Sequence, residues 1–368
     1  MPVAVISGYY GFHNAGDEAM LYAMLEALGA AVPDLCPVVL SADPAYTSAR
    51  FGVKAVDRAD PRQVASELRR ADLLISGGGG LLQDVTGPRS IVYYLGVVLL
   101  ARALGCPVFF YAQGVGPVNT RLGRLLVRLV VGRGVERITV RDPDSKEELV
   151  RLGVDGGKVE VTADPVLGLD PGRVEGERGQ KLLSGLGVDP KMPVAGVSVR
   201  PWAGQERFLP EIAGACDELA SRGWQVVLVP MHSPVDDAAC REVAALMRER
   251  AAVLEGGLDF ADLLAVSAHL DLAVGMRLHF LIFAALFGVP PVGVTYDPKV
   301  NGFLKAVGLP PGLPVESLKR EELFSRLWET AGNGGEIAGA LKKKVAGLKE
   351  QARKNAAAVA TILHGRHK

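Results

Sequence analysis

The sequence predicts an α/β protein with two doubly wound, Rossmann-like halves that face a cleft, followed by C-terminal helices. Short apolar runs alternate with amphipathic helical stretches along the chain, which is typical of parallel sheets covered by helices. The alternation breaks once, around residues 169–180, in a polar segment rich in glycine and charge, and then resumes. With 368 residues the chain is also long for one core and divides naturally into two domains.

The predicted strands are nearly continuous in apolar residues, which indicates burial on both faces of each sheet. They cover residues 3–7, 37–40, 72–76, 107–112, 138–140 and 159–162 in the first half, and 194–199, 225–229, 252–254, 270–274 and 291–296 in the second. Residues 317–364 follow a helical pattern. We therefore predict an N-terminal domain over residues 1–170, a linker over 171–185, a C-terminal domain over 186–312 and C-terminal helices over 313–368.

Composition and charge exclude several classes of protein. The formal net charge is +0, whereas a nucleic-acid-binding surface needs a basic excess. The 4 cysteines have no C-x-x-C spacing, so neither a disulfide framework nor a cysteine zinc site is expected. The apolar run over residues 90–101 is shorter than the roughly 20 residues of a membrane span. The chain enters its first strand without a secretory signal pattern, so we expect a cytoplasmic protein.

The most informative motif is Met276-Arg277-Leu278-His279, which follows a predicted strand. The apolar run 280–286 predicts the next helix, and the free N–H groups and dipole of a helix N-terminus attract anions. Arg277 and His279 add donors there, and Lys299, after the next strand, lies on the same edge of a parallel sheet. We expect a bound anion. The alternative is that Arg277 caps a neighbouring carbonyl and His279 is a core histidine.

A glycine-rich loop, residues 8–18, follows the first strand and opens a helix. It is not a phosphate-binding Walker loop, because the Gly-Lys-Ser/Thr sequence is absent. It is not a dinucleotide fingerprint, because the spacing of the glycines is wrong. Asn14 in this loop is a candidate substrate-binding residue. Asp17 is a candidate base that takes a proton from a sugar hydroxyl. Glu18 is interpreted as an acid that favours the first turn of a helix.

Further loops leave the ends of later strands in the first half. Four successive glycines, residues 77–80, allow a ligand to contact the backbone, and Gly78 and Gly79 are candidate binding residues. Arg141 follows the fifth predicted strand and is either a clamp for phosphate or carboxylate, or a partner of Asp142 or Asp144 in an ion pair. Open α/β sheets bind ligands at these carboxyl ends.

Together these motifs resemble the polysaccharide pyruvyl transferase family, and within it the CsaB type. The resemblance rests on five segments in order: Gly-Tyr-Tyr-Gly-Phe-His-Asn-Ala-Gly-Asp-Glu-Ala, Ser-Gly-Gly-Gly-Gly-Leu-Leu-Gln-Asp, Tyr-Ala-Gln-Gly-Val-Gly-Pro, Met-Arg-Leu-His and Asp-Pro-Lys-Val. They span residues 8–300, and five motifs in order are far more specific than any one of them.

The resemblance implies a GT-B-like fold and transfer of a pyruvyl group from phosphoenolpyruvate to a sugar as a ketal. For the CsaB type, the acceptor is N-acetylmannosamine of a secondary cell wall polymer that helps to anchor S-layer proteins. It also implies that Arg277, His279, Arg141 and Lys299 form the phosphoenolpyruvate site and that the N-terminal domain takes the acceptor.

The residue types agree with that chemistry. Arginine and lysine neutralise phosphate and carboxylate, and a histidine that titrates near neutral pH is suited to protonate the methylene carbon of the donor. We therefore expect His279 and Asp17 as catalytic groups, phosphoenolpyruvate as co-substrate, no separate cofactor and no metal. The acceptor is a lipid-linked or free cell-wall glycan, and the number of subunits stays open.

Three other functions remain possible at the level of sequence. A nucleotide-sugar glycosyltransferase has the same architecture, and fold alone does not separate it from a pyruvyl transferase. A glycan-binding protein without catalytic activity needs aromatic platforms, but aromatic residues make up only 6% of the chain and cluster in a motif only at Tyr9, Tyr10 and Phe12. A dinucleotide oxidoreductase lacks its Gly-x-Gly-x-x-Gly motif here.

Basic residues in the C-terminal tail allow weak contact with the inner face of a membrane. The alternative is that they form the solvated face of a terminal helix. They are Lys342, Lys343, Lys344, Arg353, Lys354, Arg366 and Lys368.

Overall fold

A computed structural model describes residues 1–84, 88–255 and 257–366 and divides the chain into two compact units. Unit 1 contains Met1–His13, Asp17–Leu169 and Leu348–Lys368, and unit 2 contains Asn14–Gly16 and Asp170–Gly347. None of the helices in the described residues is both long enough and apolar enough to cross a bilayer.

Unit 1 is built on a parallel sheet. Its strands are β1 (Val3–Ser7), β2 (Cys36–Ser41), β3 (Lys54–Asp57), β4 (Leu73–Gly77), β5 (Val108–Gln113), β6 (Arg137–Val140) and β7 (Val159–Val161). The helices that connect them are α1 (Ala15–Ala31), α2 (Pro44–Phe51), α3 (Pro61–Arg70), α4 (Pro88–Ala103), α5 (Arg121–Gly134) and α6 (Pro143–Arg151). The strand order is β3-β2-β1-β4-β5-β6-β7.

Both faces of this sheet are buried under helices. Successive side chains of a strand point to opposite faces, so neighbouring residues belong to different core clusters. In β5, Phe109 packs in one core cluster and Phe110 packs in the other. The cluster that contains Phe110 includes the inner faces of α4 and α5, whereas the cluster that contains Phe109 includes α1 and the end of the last helix of the chain.

Unit 2 repeats this plan. Its strands are β8 (Val194–Ser198), β9 (Gln225–Leu228), β10 (Ala251–Val253), β11 (Leu272–Gly275), β12 (Pro291–Thr295) and β13 (Leu313–Pro314), in the parallel order β10-β9-β8-β11-β12-β13. Its helices are α7 (Gly176–Gly185), α8 (Gln205–Ala220), α9 (Asp237–Leu246), α10 (Phe260–Ser267), α11 (Leu278–Leu286), α12 (Pro298–Ala306) and α13 (Arg320–Gly332). The helix α14 (Gly334–Arg366) begins in unit 2 and ends in unit 1.

The α/β class and the parallel sheets confirm the prediction from the sequence, and each predicted strand is present within two residues at either end. The sequence pattern missed β3 and β13, which lie at the edges of their sheets. These strands are short, and β3 starts with the exposed Lys54, so neither has the continuous apolar run of a central strand. The segment predicted as a linker contains α7, which packs against α10.

In each sheet the strand order reverses beside the first strand, between β1 and β4 in unit 1 and between β8 and β11 in unit 2. The connections that follow such neighbouring strands leave in opposite directions, which opens a crevice at the carboxyl edge where doubly wound proteins bind ligands. Most of the predicted site residues follow these four strands.

Candidate functional site

The glycine loop that follows β4 in unit 1 has a backbone that only glycine adopts easily. Gly78 and Gly79 have φ values of 75° and 80°, in the left-handed region. The carbonyl of Gly79 accepts hydrogen bonds from the Gly114 amide at 2.9 Å and from Nε2 of Gln113 at 3.0 Å. A Cβ atom added at Gly79 would lie 3.0 Å from Oδ1 of Asp17. The structure therefore brings the predicted residues Gly79 and Asp17 together.

Glu18, the next residue, lies in the first turn of α1, as the sequence predicts. Its side chain is buried, and Oε1 accepts a hydrogen bond from the Gly11 amide at 2.9 Å. Oε2 is also buried and lacks a hydrogen-bond partner in the described part of the chain. Burial raises the pKa of Glu18 to about 7, although the Gly11 amide opposes this shift. Protonation of this carboxyl is thus coupled to the fold of the loop before α1.

Arg141, at the end of β6, lies in the same region of unit 1, since its guanidinium packs against Gly114. Its side chain is only 6% exposed and forms ion pairs with Asp142 at 3.3 Å and Asp164 at 3.4 Å. The ion-pair interpretation is therefore observed, with Asp142 and with a second partner that sequence spacing did not indicate. Two carboxylates fix the orientation of this guanidinium.

An aromatic cluster surrounds Arg58, which follows β3 in unit 1. Its guanidinium carbon lies 4.1 Å from the ring centre of Tyr93 and 5.1 Å from that of Phe12. The ring of Phe12 stacks on Tyr9 at 4.1 Å with an interplanar angle of 10°. Tyr9 and Phe12 belong to the glycine-rich loop after β1, so this part of the motif forms a partly exposed aromatic surface with a cation at its centre.

In unit 2, Arg277 precedes the first residue of α11 and forms a two-pronged ion pair with Asp236. Nε donates to Oδ2 at 2.9 Å, and Nη2 donates to Oδ1. The amide of His232 also donates to Oδ2, at 3.0 Å. Asp236 is fully buried, so this pair holds the Arg277 guanidinium in one orientation.

His279 lies in the first turn of α11, and its Nε2 atom is buried. Residues 14–16, which belong to unit 2, pack beside it, and a Cβ atom added at Gly16 would overlap the imidazole. Oδ1 of Asn14 accepts a hydrogen bond from the Gly16 amide at 3.0 Å, and the Ala15 amide donates to the carbonyl of Met231 at 2.9 Å. Glycine at position 16 therefore allows the close approach of this segment to His279.

A second cationic group of unit 2, around Tyr296, includes a residue that the sequence interpretation missed. Arg200 follows β8, and its Nη1 donates to the Tyr296 hydroxyl at 2.9 Å. The Lys299 ammonium lies 5.5 Å from the centre of the Tyr296 ring and 3.1 Å from Oδ2 of Asp297. Burial by itself would raise the pKa of Tyr296, but Lys299, Arg200 and Arg277 lower it below its usual value. Arg200 directly follows a predicted strand, and this position could have identified it as a candidate site residue from the sequence.

Each unit therefore gathers its own predicted residues at the carboxyl edge of its sheet. Unit 1 contains Asp17, Gly78, Gly79 and Arg141, and unit 2 contains Asn14, Arg277, His279 and Lys299. Asp236, Arg200 and Tyr296 complete the group in unit 2.

The fold is similar to that of several solved proteins. Anabaena HepE, solved in complex with UDP and glucose, is similar with a TM-score of 0.67 and 14% identity over 99% of this chain and 100% of that chain. S. aureus MnaA, solved with UDP, is similar with a TM-score of 0.65 and 13% identity over 93% of this chain and 90% of that chain. At such low identity the similarity defines the GT-B fold and not the reaction.

The family model described as polysaccharide pyruvyl transferase matches residues 14–298, and the chain belongs to that family. The chain is also similar to the amylovoran biosynthesis protein AmsJ of Erwinia amylovora. AmsJ is 25% identical over 309 residues, which cover 79% of this chain and 72% of that protein.

Proposed function

We propose that this protein transfers the pyruvyl group of phosphoenolpyruvate to a sugar as a ketal, with release of phosphate. The observation that carries the proposal is the cationic group around Tyr296, where Arg200 donates to the hydroxyl and the Lys299 ammonium lies 5.5 Å from the ring centre. Phosphoenolpyruvate carries a phosphate and a carboxylate, and a group of cations beside a helix N-terminus suits both anions.

His279 is the proposed general acid. A proton delivered to the methylene carbon of the donor gives positive character to the adjacent carbon, and a sugar hydroxyl attacks that carbon. The bond between this carbon and the phosphate oxygen then breaks, and a second hydroxyl of the same sugar closes the ketal. One hydroxyl proton balances the proton taken up by carbon, and the other leaves with phosphate. This reaction needs no electron transfer, so no redox cofactor is proposed.

Unit 1 is the proposed acceptor side. Asp17 lies beside the glycine loop after β4, where it is suited to take a proton from a hydroxyl. The rings around Arg58 offer partly exposed aromatic surface of the kind that packs against sugar rings.

By similarity to the CsaB type we propose N-acetylmannosamine of a cell wall polymer precursor as the acceptor and S-layer anchoring as the purpose. Since phosphoenolpyruvate is an intracellular metabolite, we propose a cytoplasmic location, with peripheral contact to the inner membrane face.

A nucleotide-sugar glycosyltransferase is the second candidate, because HepE and MnaA have UDP in their structures. The two candidates differ in the donor. A ligand that binds only the folded state at 100 times its dissociation constant stabilises that state by about 2.7 kcal/mol. We expect phosphoenolpyruvate to raise the melting temperature and UDP to leave it unchanged. A shift with UDP alone would favour the glycosyltransferase.

The reaction itself is tested by phosphate release from phosphoenolpyruvate in the presence of candidate glycans, with the mass of the product measured in parallel. We expect release that depends on the glycan and a product carrying one pyruvyl group. In His279→Gln, turnover should fall by roughly 10² to 10⁴, as for removal of a general acid, while donor binding is kept. Full turnover in this variant would reject the role of His279, and no release with any glycan would count against the transfer.

A further inference from the structure

The helices α4 and α5 lie side by side on one face of the unit 1 sheet and pack there through a regular apolar stripe. The buried positions in α4 include Ile91, Leu95 and Val98, and those in α5 include Val127 and Val130. Their spacing of three or four residues is that of one helix face. The opposite faces of α4 and α5 therefore point away from the sheet, where a helix of a globular protein normally carries polar residues.

These outer faces also carry large apolar residues. The exposed fraction is 46% for Val92 and 42% for Leu99 in α4, and 57%, 52% and 42% for Leu122, Leu125 and Leu129 in α5. Of the 11 large hydrophobic residues that are exposed in the described part of the chain, these helices contribute five, so the exposure is concentrated on one surface. Clustered apolar exposure of this kind marks an interaction site, whereas single exposed residues do not.

The same surface is strongly basic. Arg102 lies at the end of α4, and Arg121, Arg124, Arg128 and Arg133 lie along α5, all exposed. The sequence between Asp84 and Glu136 contains no Asp or Glu. Within the described residues, Arg124 donates through Nε to the carbonyl of Val118 at 2.8 Å and is near enough to Glu148 to help lower the pKa of that carboxyl, and no salt bridge is observed for the other four arginines. We call the exposed residues Val92, Leu99, Leu122, Leu125 and Leu129, together with these five arginines, the α4–α5 surface.

We propose that the α4–α5 surface binds the anionic surface of a phospholipid bilayer. Leucine side chains on one face of a helix insert at the boundary between headgroups and acyl chains, and arginines beside them reach the lipid phosphates. The charge argues against a second copy of this chain as the occupant, because a symmetric pair would bring two sets of arginines together. This inference does not depend on the donor or on the reaction proposed above.

The C-terminal tail is less suited to this contact. The side chain of Lys342 packs against Gly288, and that of Lys344 packs near Gly308, so these aliphatic stems cover unit 2. Acidic Glu336 precedes the lysines of α14, and Glu350 lies among them. Lys368 and the side chain of Arg366 lie outside the described residues. The tail therefore provides matched control positions for the α4–α5 surface.

Flotation with vesicles of phosphatidylcholine alone, or with about one third phosphatidylglycerol, tests the proposal at low and high salt. We expect the unmodified protein to float with anionic vesicles at low salt, and salt to reduce the bound fraction. Each arginine near an anionic surface contributes about fivefold in partitioning, so Arg121→Gln with Arg128→Gln should lower it by about 25-fold. Leu122→Gln with Leu125→Gln should lower it by at least about tenfold.

Two control variants carry the same changes elsewhere. Lys343→Gln with Lys354→Gln removes two exposed charges from the tail, and Leu246→Gln removes an exposed leucine of unit 2. Both should float as the unmodified protein does. Equal capture by neutral and anionic vesicles, or capture that survives both α5 variants, would overturn the proposal. A dimer in light scattering that the leucine variant dissociates would also overturn it, because the surface would then be a subunit interface.

Discussion

Arg200 belongs to the proposed donor site because of its position beside Tyr296. Its guanidinium lies 4.8 Å from the ring centre of Tyr296 and donates to the Tyr296 hydroxyl, beside Lys299. Arg200→Ala removes one cation from a partly buried group, so we expect the KM for phosphoenolpyruvate to rise by about 10- to 100-fold. The KM of Arg200→Lys should lie between those of the unmodified protein and Arg200→Ala, because lysine keeps the charge but loses the planar arrangement of donors.

Steady-state phosphate release at varied donor concentration measures these KM values. Arg207→Ala is the matched control, since Arg207 lies in the first turn of the following helix α8 with 84% of its side chain exposed. An unchanged KM in Arg200→Ala would remove this residue from the donor site and leave it as a structural partner of Tyr296.

Glu18 predicts a pH dependence of stability. Its pKa in the folded state is about 7, above the ordinary value of 4.5, so the folded state binds the proton more tightly than the unfolded state does. The contribution of Glu18 to stability is therefore greatest at low pH and is lost as the pH rises from about 4.5 to about 7. Relative to Glu18→Gln, which has no charge to bury, the unfolding free energy of the unmodified protein should fall by about 3 kcal/mol across this window.

Urea denaturation followed by circular dichroism at pH 5 and pH 8 measures the difference between the two proteins. Glu26→Gln, an exposed position in the same helix, should show the same difference from the unmodified protein at both pH values. If the Glu18→Gln difference is also the same at both, Glu18 is already ionised in the folded protein at pH 5 and the inferred rise of its pKa is wrong.

At the scale of elements, the end of α14 is attached to unit 1 through one polar residue. Oδ1 of Asn355 lies 2.6 Å from the Thr139 hydroxyl and 3.0 Å from the Thr162 hydroxyl, and Asn355 is fully buried. Asn355→Ala leaves buried hydroxyl groups without this acceptor, which typically costs about 1–3 kcal/mol. We expect a loss of stability in that range, measured by urea denaturation.

Lys354→Ala, one residue earlier and exposed, is the control for this effect and should change stability by less than about 0.5 kcal/mol. A loss in Asn355→Ala no larger than that of the control would mean that apolar packing by Val359 and Leu363 is enough to dock α14.

At the scale of the whole molecule, the two units should respond differently to the two substrates. If unit 2 binds the donor, phosphoenolpyruvate should slow amide hydrogen exchange in residues 198–202, 275–281 and 296–300 and leave the outer helices α4 and α5 unchanged. Arg200→Ala should reduce this protection at the same donor concentration. Protection confined to unit 1 would move the donor to the other unit.

The sequence by itself determined the α/β class, the positions of the central strands and most of the residues at the strand ends. These follow from local patterns, since a strand buried on both faces must be apolar throughout and a loop at its end is free to carry Arg277, His279 or Lys299. Edge strands such as β3 were not predicted, because they are partly exposed and lack a continuous apolar run.

Only the tertiary structure decided which charges meet and which apolar residues stay in water. Arg277 pairs with Asp236, which is 41 residues away in the sequence. The cations near Tyr296 follow β8, β11 and β12, because strands that are distant in sequence become neighbours in a sheet. The burial of Glu18 and the exposure of Leu122 and Leu125 likewise depend on what covers each helix face. Periodicity in the sequence identifies the two faces of a helix. Only the packing of the folded protein decides whether the outer face is also covered by other residues.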